Sequence, residues 1–152
     1  MKRVTVDAEK CAGCRYCELA CSGYRHHRFS PALSRVTVVK DDHRGLDYPV
    51  LCHQCDDCPP EDRCPTRAIK RAGGCIVVGD GCIGCGLCVE ECRFGAVKLV
   101  DGRPIACDLC GGTPECVERC PTGALSYVEY SGGYDSAEEE LSVLQRRLGI
   151  VV

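Results

Sequence analysis

The sequence predicts an α+β fold of short hairpins and helices built around metal–thiolate centres, which replace a large apolar core. The first observation is that 17 of the 152 residues are cysteine. The second is that large side chains are scarce, with no Trp and only two Phe. A chain this short and this poor in bulky residues buries a thin core and usually needs covalent or metal staples. We therefore expect the cysteines to stabilise the fold as well as to carry the chemistry.

Sixteen of the cysteines form an internal repeat of four groups, which organises the whole chain. Groups one and three share the spacing C-x2-C-x2-C-x3-C. Group two widens the last interval to five residues, and group four widens the middle interval to five. In chain order the groups are Cys11, Cys14, Cys17 and Cys21; Cys52, Cys55, Cys58 and Cys64; Cys82, Cys85, Cys88 and Cys92; and Cys107, Cys110, Cys116 and Cys120.

The intervals between the groups predict strands and tight turns. Residues 68–70 and 75–78 flank a Gly-Gly pair, which favours a hairpin. Residues 96–100 and 103–106 flank Asp-Gly, the strongest short hairpin signal in the chain. Short apolar stretches at residues 4–6 and 76–78 precede groups one and three. A long insertion, residues 22–51, holds a further predicted strand at 35–39.

Helices are predicted at two kinds of place. After the x3 spacing of each group we expect a short helix, too short to be stable alone. At the C-terminus, Ser136 and Glu139 form a capping box, and leucines follow at helical spacing as far as Leu148. Gly149 is the expected stop, and residues 131–133 (Ser-Gly-Gly) suggest a hinge before the helix. This helix either packs on its own chain or docks a partner subunit.

Three chemistries can use so many cysteines, and the spacing favours iron–sulfur clusters. Disulfides fit poorly, because 17 is odd and no secretory segment is recognisable, so we expect a cytoplasmic protein. Structural zinc usually takes two C-x2-C pairs and does not need the third cysteine that three groups carry at x2 spacing. Three thiolates at C-x2-C-x2-C instead converge on neighbouring corners of one cubane. The sequence therefore predicts four 4Fe–4S clusters on sixteen cysteines.

The remaining cysteine and the histidines are given modest roles. Cys75 lies in a predicted strand and is expected to be a small buried hydrophobe rather than a ligand, with substitute ligand or redox sensor as alternatives. The four histidines are expected in loops or at the surface. His53, between Cys52 and Cys55, could also donate a hydrogen bond to a cluster sulfur.

The four groups resemble a known family, the four-cluster electron-transfer subunits of multi-subunit oxidoreductases. These include the small subunits of dimethyl sulfoxide reductase, formate dehydrogenase, formate hydrogenlyase and carbon monoxide dehydrogenase. The chain looks most similar to the short versions that accompany tungsten-containing aldehyde oxidoreductase and the related benzoyl-CoA reductase. The residues that carry this closer likeness are Ala-Cys-Asp-Leu-Cys-Gly-Gly-Thr-Pro-Glu-Cys at 106–116 and Cys-Pro-Thr-Gly-Ala-Leu at 120–125.

The resemblance implies two ferredoxin-like modules, one inserted into the other. The outer module would comprise residues 1–48 and 104–130, the inserted module 49–103, and the hinge and C-terminal docking helix 131–152. Each group would give its fourth cysteine to its partner group. The implied ligand sets are site one, Cys11, Cys14, Cys17 and Cys120; site two, Cys52, Cys55, Cys58 and Cys92; site three, Cys82, Cys85, Cys88 and Cys64; and site four, Cys107, Cys110, Cys116 and Cys21. Ser22 and Arg93 stand where the family has proline, which puts only the local bend in doubt.

The function implied is electron transfer without catalysis, between a large tungsten- or molybdenum-pterin subunit and either an NAD-reducing flavoprotein subunit or ferredoxin. One alternative is a free polyferredoxin, and another is a subunit of a carbon monoxide dehydrogenase, hydrogenase, formate dehydrogenase or benzoyl-CoA reductase complex. Two further alternatives are self-association of the chain into a wire and a zinc- or cluster-stabilised binding module without a redox role. The sequence shows no dinucleotide fingerprint and no P-loop. Scattered basic residues and a net charge of −3 argue against nucleic-acid binding, and no membrane span is expected.

Overall fold

The structure is a computed structural model that describes residues 1–132 and 136–149. These residues form a small mixed fold of helices and strands, as predicted, in which every sheet is an antiparallel pair. The strands are β1 (Lys2–Val6), β2 (Thr37–Asp41), β3 (Leu46–Val50), β4 (Ile69–Ala72), β5 (Cys75–Val78), β6 (Lys98–Val100), β7 (Arg103–Ile105) and β8 (Leu125–Glu129). The α-helices are α1 (Tyr16–His26), α2 (Pro59–Arg63), α3 (Leu87–Glu91), α4 (Glu115–Glu118) and α5 (Ala137–Arg147).

Both hairpins predicted from turn residues are present. β4 and β5 pair around Gly73 and Gly74, whose φ angles are 58° and 81°. β6 and β7 pair around Asp101 and Gly102, with φ angles of 50° and 73°. Two consecutive residues with positive φ are what a two-residue hairpin turn requires, so the turn chemistry determined these elements locally.

Two strands that are far apart in the sequence form a sheet, and this pairing was not predicted. β1 runs antiparallel to β8, with Val4 opposite Tyr127. Val4 and Leu125 are both buried in this sheet, with 2% and 3% of their surface exposed. This pairing brings the segment before group one beside the segment after group four, although 118 residues separate the two strands.

The helices lie in a different place from the prediction, which was wrong in this respect. They were expected after the x3 spacing, but in groups two, three and four they lie before the last cysteine of the group, and only α1 continues beyond it. In group one, α1 is eleven residues long and carries both Cys17 and Cys21. Residues four apart project from the same face of a helix. The helix therefore supplies two buried thiols to the interior.

The insertion forms a further hairpin, and the C-terminal helix packs on it. The strand predicted at 35–39 begins two residues later as β2, and β2 pairs with β3, which was not predicted. α5 starts at the predicted capping box of Ser136 and Glu139. Leu144 is only 4% exposed, and α5 contacts β3, so the helix packs on its own chain. Gly133 of the predicted hinge lies outside the described residues.

The core is thin and rich in cysteine. Its buried members are mainly valines, leucines and alanines, together with seven thiols. The buried cysteines are Cys17, Cys21, Cys52, Cys55, Cys88, Cys107 and Cys116. None of the helices in the described residues has the length and apolar character needed to cross a membrane. The division into two inserted modules stays a prediction.

Candidate iron–sulfur cluster sites

The thiols of group one lie beside a thiol of group four. Burial raises the pKa of Cys11, and negative charge on Cys14 and Cys120 raises it further. Burial likewise raises the pKa of Cys17 to about 12, with a contribution from charge on Cys11 and Cys14. Charges act in this way only over short distances in a protein. The β1–β8 sheet explains the approach, because it holds the end of group four next to the start of group one.

The other three thiols of group four gather around Cys21 of group one. Burial raises the pKa of Cys116 to about 12, and charge on Cys21 and Cys110 adds to the shift. The pKa of Cys107 is raised well above its usual value by burial, and charge on Cys116, Cys52 and Cys21 raises it too. α1 and α4 are packed together, and this packing brings Cys21 and Cys116 to one place.

Three thiols of group two lie beside one thiol of group three. Cys52, Cys55, Cys58 and Cys92 line one cavity, whose remaining wall is apolar apart from His53 and Arg93. Burial raises the pKa of Cys52 to about 12, and charge on the other three thiols raises it as well. α2 and α3 are in contact at this point, so the short helices of groups two and three position the thiols.

Three thiols of group three lie beside one thiol of group two in the same way. Cys64 shares a second cavity with Cys82, Cys85 and Cys88. Burial raises the pKa of Cys88, and charge on the other three thiols adds to the increase. The structure thus brings the sixteen grouped cysteines together in four sets of thiols, each containing three from one group and one from another.

Backbone N–H groups point at several of these sulfurs. The donor–acceptor distances lie between 3.3 and 3.5 Å. Hydrogen bonds from the backbone stabilise electron-rich thiolates and help to set a cluster's reduction potential. The pairs are Arg35 N with Cys21 Sγ, Gln54 N with Cys52 Sγ, Gly84 N with Cys82 Sγ, and Ala96 N with Cys92 Sγ.

The thiols of the two Cys-Pro-Thr segments have lowered pKa values, in contrast to the buried thiols described above. Burial acts to raise the pKa of Cys64, but hydrogen bonds from the Ile69 backbone and the Thr66 hydroxyl bring it below its usual value. The same balance, with Thr122 as the hydroxyl donor, lowers the pKa of Cys120. Each Thr Oγ1 lies 3.7 Å from the sulfur. Repetition of this contact at both segments indicates a local structure that favours thiolate.

The donor set fits iron–sulfur clusters. Buried thiols at pKa values near 12 remain protonated at neutral pH unless a cation displaces the protons. Four converging thiols with N–H donors around them supply what a cubane needs, namely thiolate ligands and hydrogen bonds to sulfur. Within the described ranges, no three side chains from His, Cys, Asp and Glu are close enough together to hold a single metal ion.

Cys75 and His53 lie at the edge of this arrangement. Cys75 is partly buried in β5, where burial and the charge of Asp108 raise its pKa. His53 lines the same cavity as Cys52 and packs edge-on against Phe94, with ring centroids 4.4 Å apart. A hydrogen bond from His53 to a cluster sulfur, and the non-ligand role of Cys75, both stay predictions.

Two polar residues near the thiols were not identified from the sequence. Gln54 is fully buried and bonds to the backbone of Cys107. Lys98 Nζ donates hydrogen bonds to the carbonyl oxygens of Pro31 at 3.0 Å and Val36 at 3.4 Å. Burial lowers the pKa of Lys98, although negative charge on nearby groups, including Cys21, acts in the opposite direction. Gln54 is a spacer residue of the Cys52–Cys55 pair and Lys98 lies outside the cysteine groups, so the pattern of cysteines carried no signal for the identity of either residue.

Comparison with known proteins identifies the type of protein. Residues 76–98 match the family model described as "4Fe-4S binding domain". The chain is 42% identical to the putative electron transport protein YsaA of Escherichia coli (strain K12) over 60% of its own length and 62% of that protein. It is 37% identical to the polyferredoxin-like subunit of an aliphatic sulfonate oxidoreductase of Pyrococcus furiosus, over 59% and 53% of the two chains. The chain therefore spans less than two thirds of the length of these curated relatives.

Among solved structures, the chain is similar over almost its whole length to a chain of an enzyme complex. That complex is the active site complex BamBC of benzoyl coenzyme A reductase bound to benzoyl-CoA. The identity is 31%, the TM-score is 0.52, and the match covers 99% of this chain and 92% of the other. The cysteine pattern, the converging thiols and these similarities lead to one conclusion: the chain belongs to the 4Fe–4S ferredoxin-like electron-transport proteins.

Proposed function

We propose that the chain carries four 4Fe–4S clusters in sites one to four and relays single electrons without catalysing a reaction itself. The observation that supports this most directly is the set of four thiol clusters, each completed by a cysteine from another group. When bound, such clusters exchange one electron at a time, with potentials set by burial, charge and hydrogen bonds to sulfur. The protein's part is to hold the clusters in sequence and to keep water away from them.

We infer the order of the sites from charge effects between their thiols and from shared cavity walls. Charge on Cys17 of site one acts on Cys116 of site four, so these sites are neighbours. Charge on Cys52 of site two acts on Cys107 of site four in the same way. Site three adjoins site two, since Ile69 and Pro104 line both cavities. The relay we propose therefore runs through sites one, four, two and three.

Exposure indicates where electrons enter and leave. Cys14 of site one and Cys85 of site three are exposed, whereas all four thiols of site four are buried or partly buried. Electron transfer to another protein requires the cluster to approach the surface. Sites one and three are the proposed ends of the relay, and sites two and four its interior.

The partner we propose is a large tungsten- or molybdenum-pterin catalytic subunit of the aldehyde oxidoreductase type. The support is the segment at 106–116 and the near-complete match to a chain of the benzoyl coenzyme A reductase active site complex. A polyferredoxin-like subunit of an oxidoreductase is also among the relatives. Electrons would pass to a flavoprotein subunit serving NAD or to ferredoxin, in the cytoplasm.

The crossed ligand sets are tested by Cys120→Ser, with Cys75→Ser as the matched control. In protein purified without oxygen from its native host, Cys120→Ser should alter the electron paramagnetic resonance (EPR) signal of site one and leave site four intact. Cys75→Ser should retain all the iron, because Cys75 belongs to no set. Loss of the site-four signal alone would refute the crossed sets. Tungsten or molybdenum in the purified complex would identify the partner's metal.

A free polyferredoxin is the second candidate function. One relative, at 42% identity, is named only as a putative electron transport protein. Gel filtration without oxygen separates the two proposals, since a subunit elutes with a larger chain and a free carrier elutes at the mass of 16.5 kDa. Elution as a long series of multiples would instead favour self-association into a wire.

A further inference from the structure

Gln54 is an unusual residue for the interior of this protein. It lies in the group-two loop between Cys52 and Cys55, has none of its surface exposed, and adopts a φ of 54°. Glutamine is mostly found at protein surfaces, and a buried amide is tolerated only when its donors and acceptor are satisfied. A buried glutamine with positive φ therefore requires specific contacts to hold it.

The amide of Gln54 joins three separate parts of the chain. Its Nε2 donates to the carbonyl oxygen of Cys107 at 2.6 Å. Its Oε1 accepts from the backbone N–H of Ile76 in β5 at 3.1 Å. From outside the loop, the guanidinium of Arg71 donates to the Gln54 carbonyl oxygen at 3.3 Å. One side chain thus links the group-two loop, the group-four loop and the β4–β5 hairpin.

These contacts place Gln54 between two ligands of different sites. Its own backbone N–H is 3.5 Å from Cys52 Sγ, the first thiol of site two. Its side chain is bonded to the backbone of Cys107, the first thiol of site four. One hydrogen-bonded connection between sites two and four therefore runs through Gln54.

The ion pair between Arg3 and Asp56, which lies next to the same loop, cannot hold the two sites in position. Arg3 in β1 reaches Asp56 at 3.2 Å, but the Asp56 side chain is 85% exposed. Ion pairs with an exposed partner are weak and give little positional precision. Hydrogen bonds of a fully buried amide are costly to break and have few alternative geometries.

We propose that Gln54 is a positioning residue that holds site two against site four and so fixes the electron crossing between them. The inference rests on the proposed four-cluster relay and adds to it the residue that sets one of its steps. The amide acts through backbone atoms: it holds the Cys107 carbonyl on one side while its own N–H contacts the Cys52 sulfur on the other. Replacing the amide should leave all sixteen ligands in the chain but loosen the relation between these two sites.

The test compares Gln54→Met, which keeps the length of the side chain and removes both hydrogen bonds, with the wild-type protein. Ser34→Ala is the matched control, since Ser34 is equally buried and its Oγ accepts from the Val36 N–H at 3.0 Å, away from Cys107. Gln54→Glu is the second variant: it keeps an oxygen for the Ile76 N–H and replaces the donor to Cys107. Each protein is purified without oxygen, assayed for iron and fully reduced.

The readouts are iron content and the magnetic coupling between reduced clusters in the EPR spectrum. We expect both Gln54 variants to keep the wild-type iron content and to lose the coupling between sites two and four, while Ser34→Ala keeps it. Unchanged coupling in both variants would overturn the proposal, as would iron lost equally from all four sites. Failure of the four-cluster relay itself would appear separately, as a wild-type protein with fewer clusters or without coupled signals.

Discussion

The hydroxyl groups of Thr66 and Thr122 offer a quantitative test of how the chain tunes its clusters. Each threonine belongs to a Cys-Pro-Thr segment, and its Oγ1 lies 3.7 Å from the sulfur of the cysteine in the same segment, Cys64 for Thr66 and Cys120 for Thr122. A cluster-bound sulfur carries no proton, so the hydroxyl must be the donor. The bond is stronger when the cluster is reduced, because the sulfur is then more negative. Thr66→Val and Thr122→Val, which preserve shape, should therefore lower the reduction potential of the affected site.

The size of the shift follows from the geometry. A hydrogen bond to a charged group contributes about 1.5–3 kcal/mol to stability. The Thr–Cys contact is weaker than this because it is long, involves sulfur and is exposed to water. We therefore take about 0.5–1 kcal/mol as the difference in its strength between the reduced and the oxidised cluster. For a one-electron couple, about 59 mV corresponds to a tenfold change in the equilibrium constant, or about 1.4 kcal/mol. The expected decrease is therefore about 20–40 mV.

The assay is a redox titration of each variant followed by EPR. Crossed ligand sets predict that Thr66→Val shifts site three and that Thr122→Val shifts site one. Thr5→Val is the control, because the Thr5 hydroxyl donates to the carbonyl oxygen of Ser126 at 3.4 Å, across the β1–β8 sheet, and not to a sulfur. Equal potentials in variants and wild type would refute the role of the hydroxyls. A shift in site two for Thr66→Val, or in site four for Thr122→Val, would refute the crossed sets.

Three further predictions concern charge and stability. Lys98→Met removes a cation near Cys21 and should lower the potential of site four by tens of millivolts in the same titration. Leu144→Ala should cost about 2–5 kcal/mol in the free energy of unfolding, measured with urea, because Leu144 is buried. The half-exposed Val143 is its control, and Val143→Ala should cost under about 1 kcal/mol. Chelating the iron should abolish cooperative unfolding, since little apolar core remains without it; a cluster-free chain with sharp, dispersed NMR signals would contradict this.

The elements that the sequence predicted well are those with local signals. The hairpin at Asp101 and Gly102 was predictable because the turn residues alone favour it. The α5 start at Ser136 was predictable for the same reason, since a capping box lies within four residues. The repeat of cysteines likewise pointed directly to thiol-bound metal.

Most of the features that were missed depend on contacts between distant segments. β1 pairs with β8 because burial favours that partner, and no local signal joins the two strands. β3 is the exception, since it lies next to β2 in the chain and has apolar residues at every second position, Leu46, Tyr48 and Val50, a strand signal that was overlooked. The helices were misplaced because the intervals between cysteines are too short to show helical periodicity. Gln54 could not be identified because its burial depends on Cys107, 53 residues away.

The most direct test of the central claim is a count of iron and acid-labile sulfide per chain in protein purified without oxygen. Four cubanes on sixteen cysteines predict about sixteen of each per chain, after subtraction of any that a co-purifying partner holds. Zinc in place of iron, without sulfide, would contradict the claim. Iron and sulfide near eight of each would also contradict it, because one pair of sites would then hold no cluster.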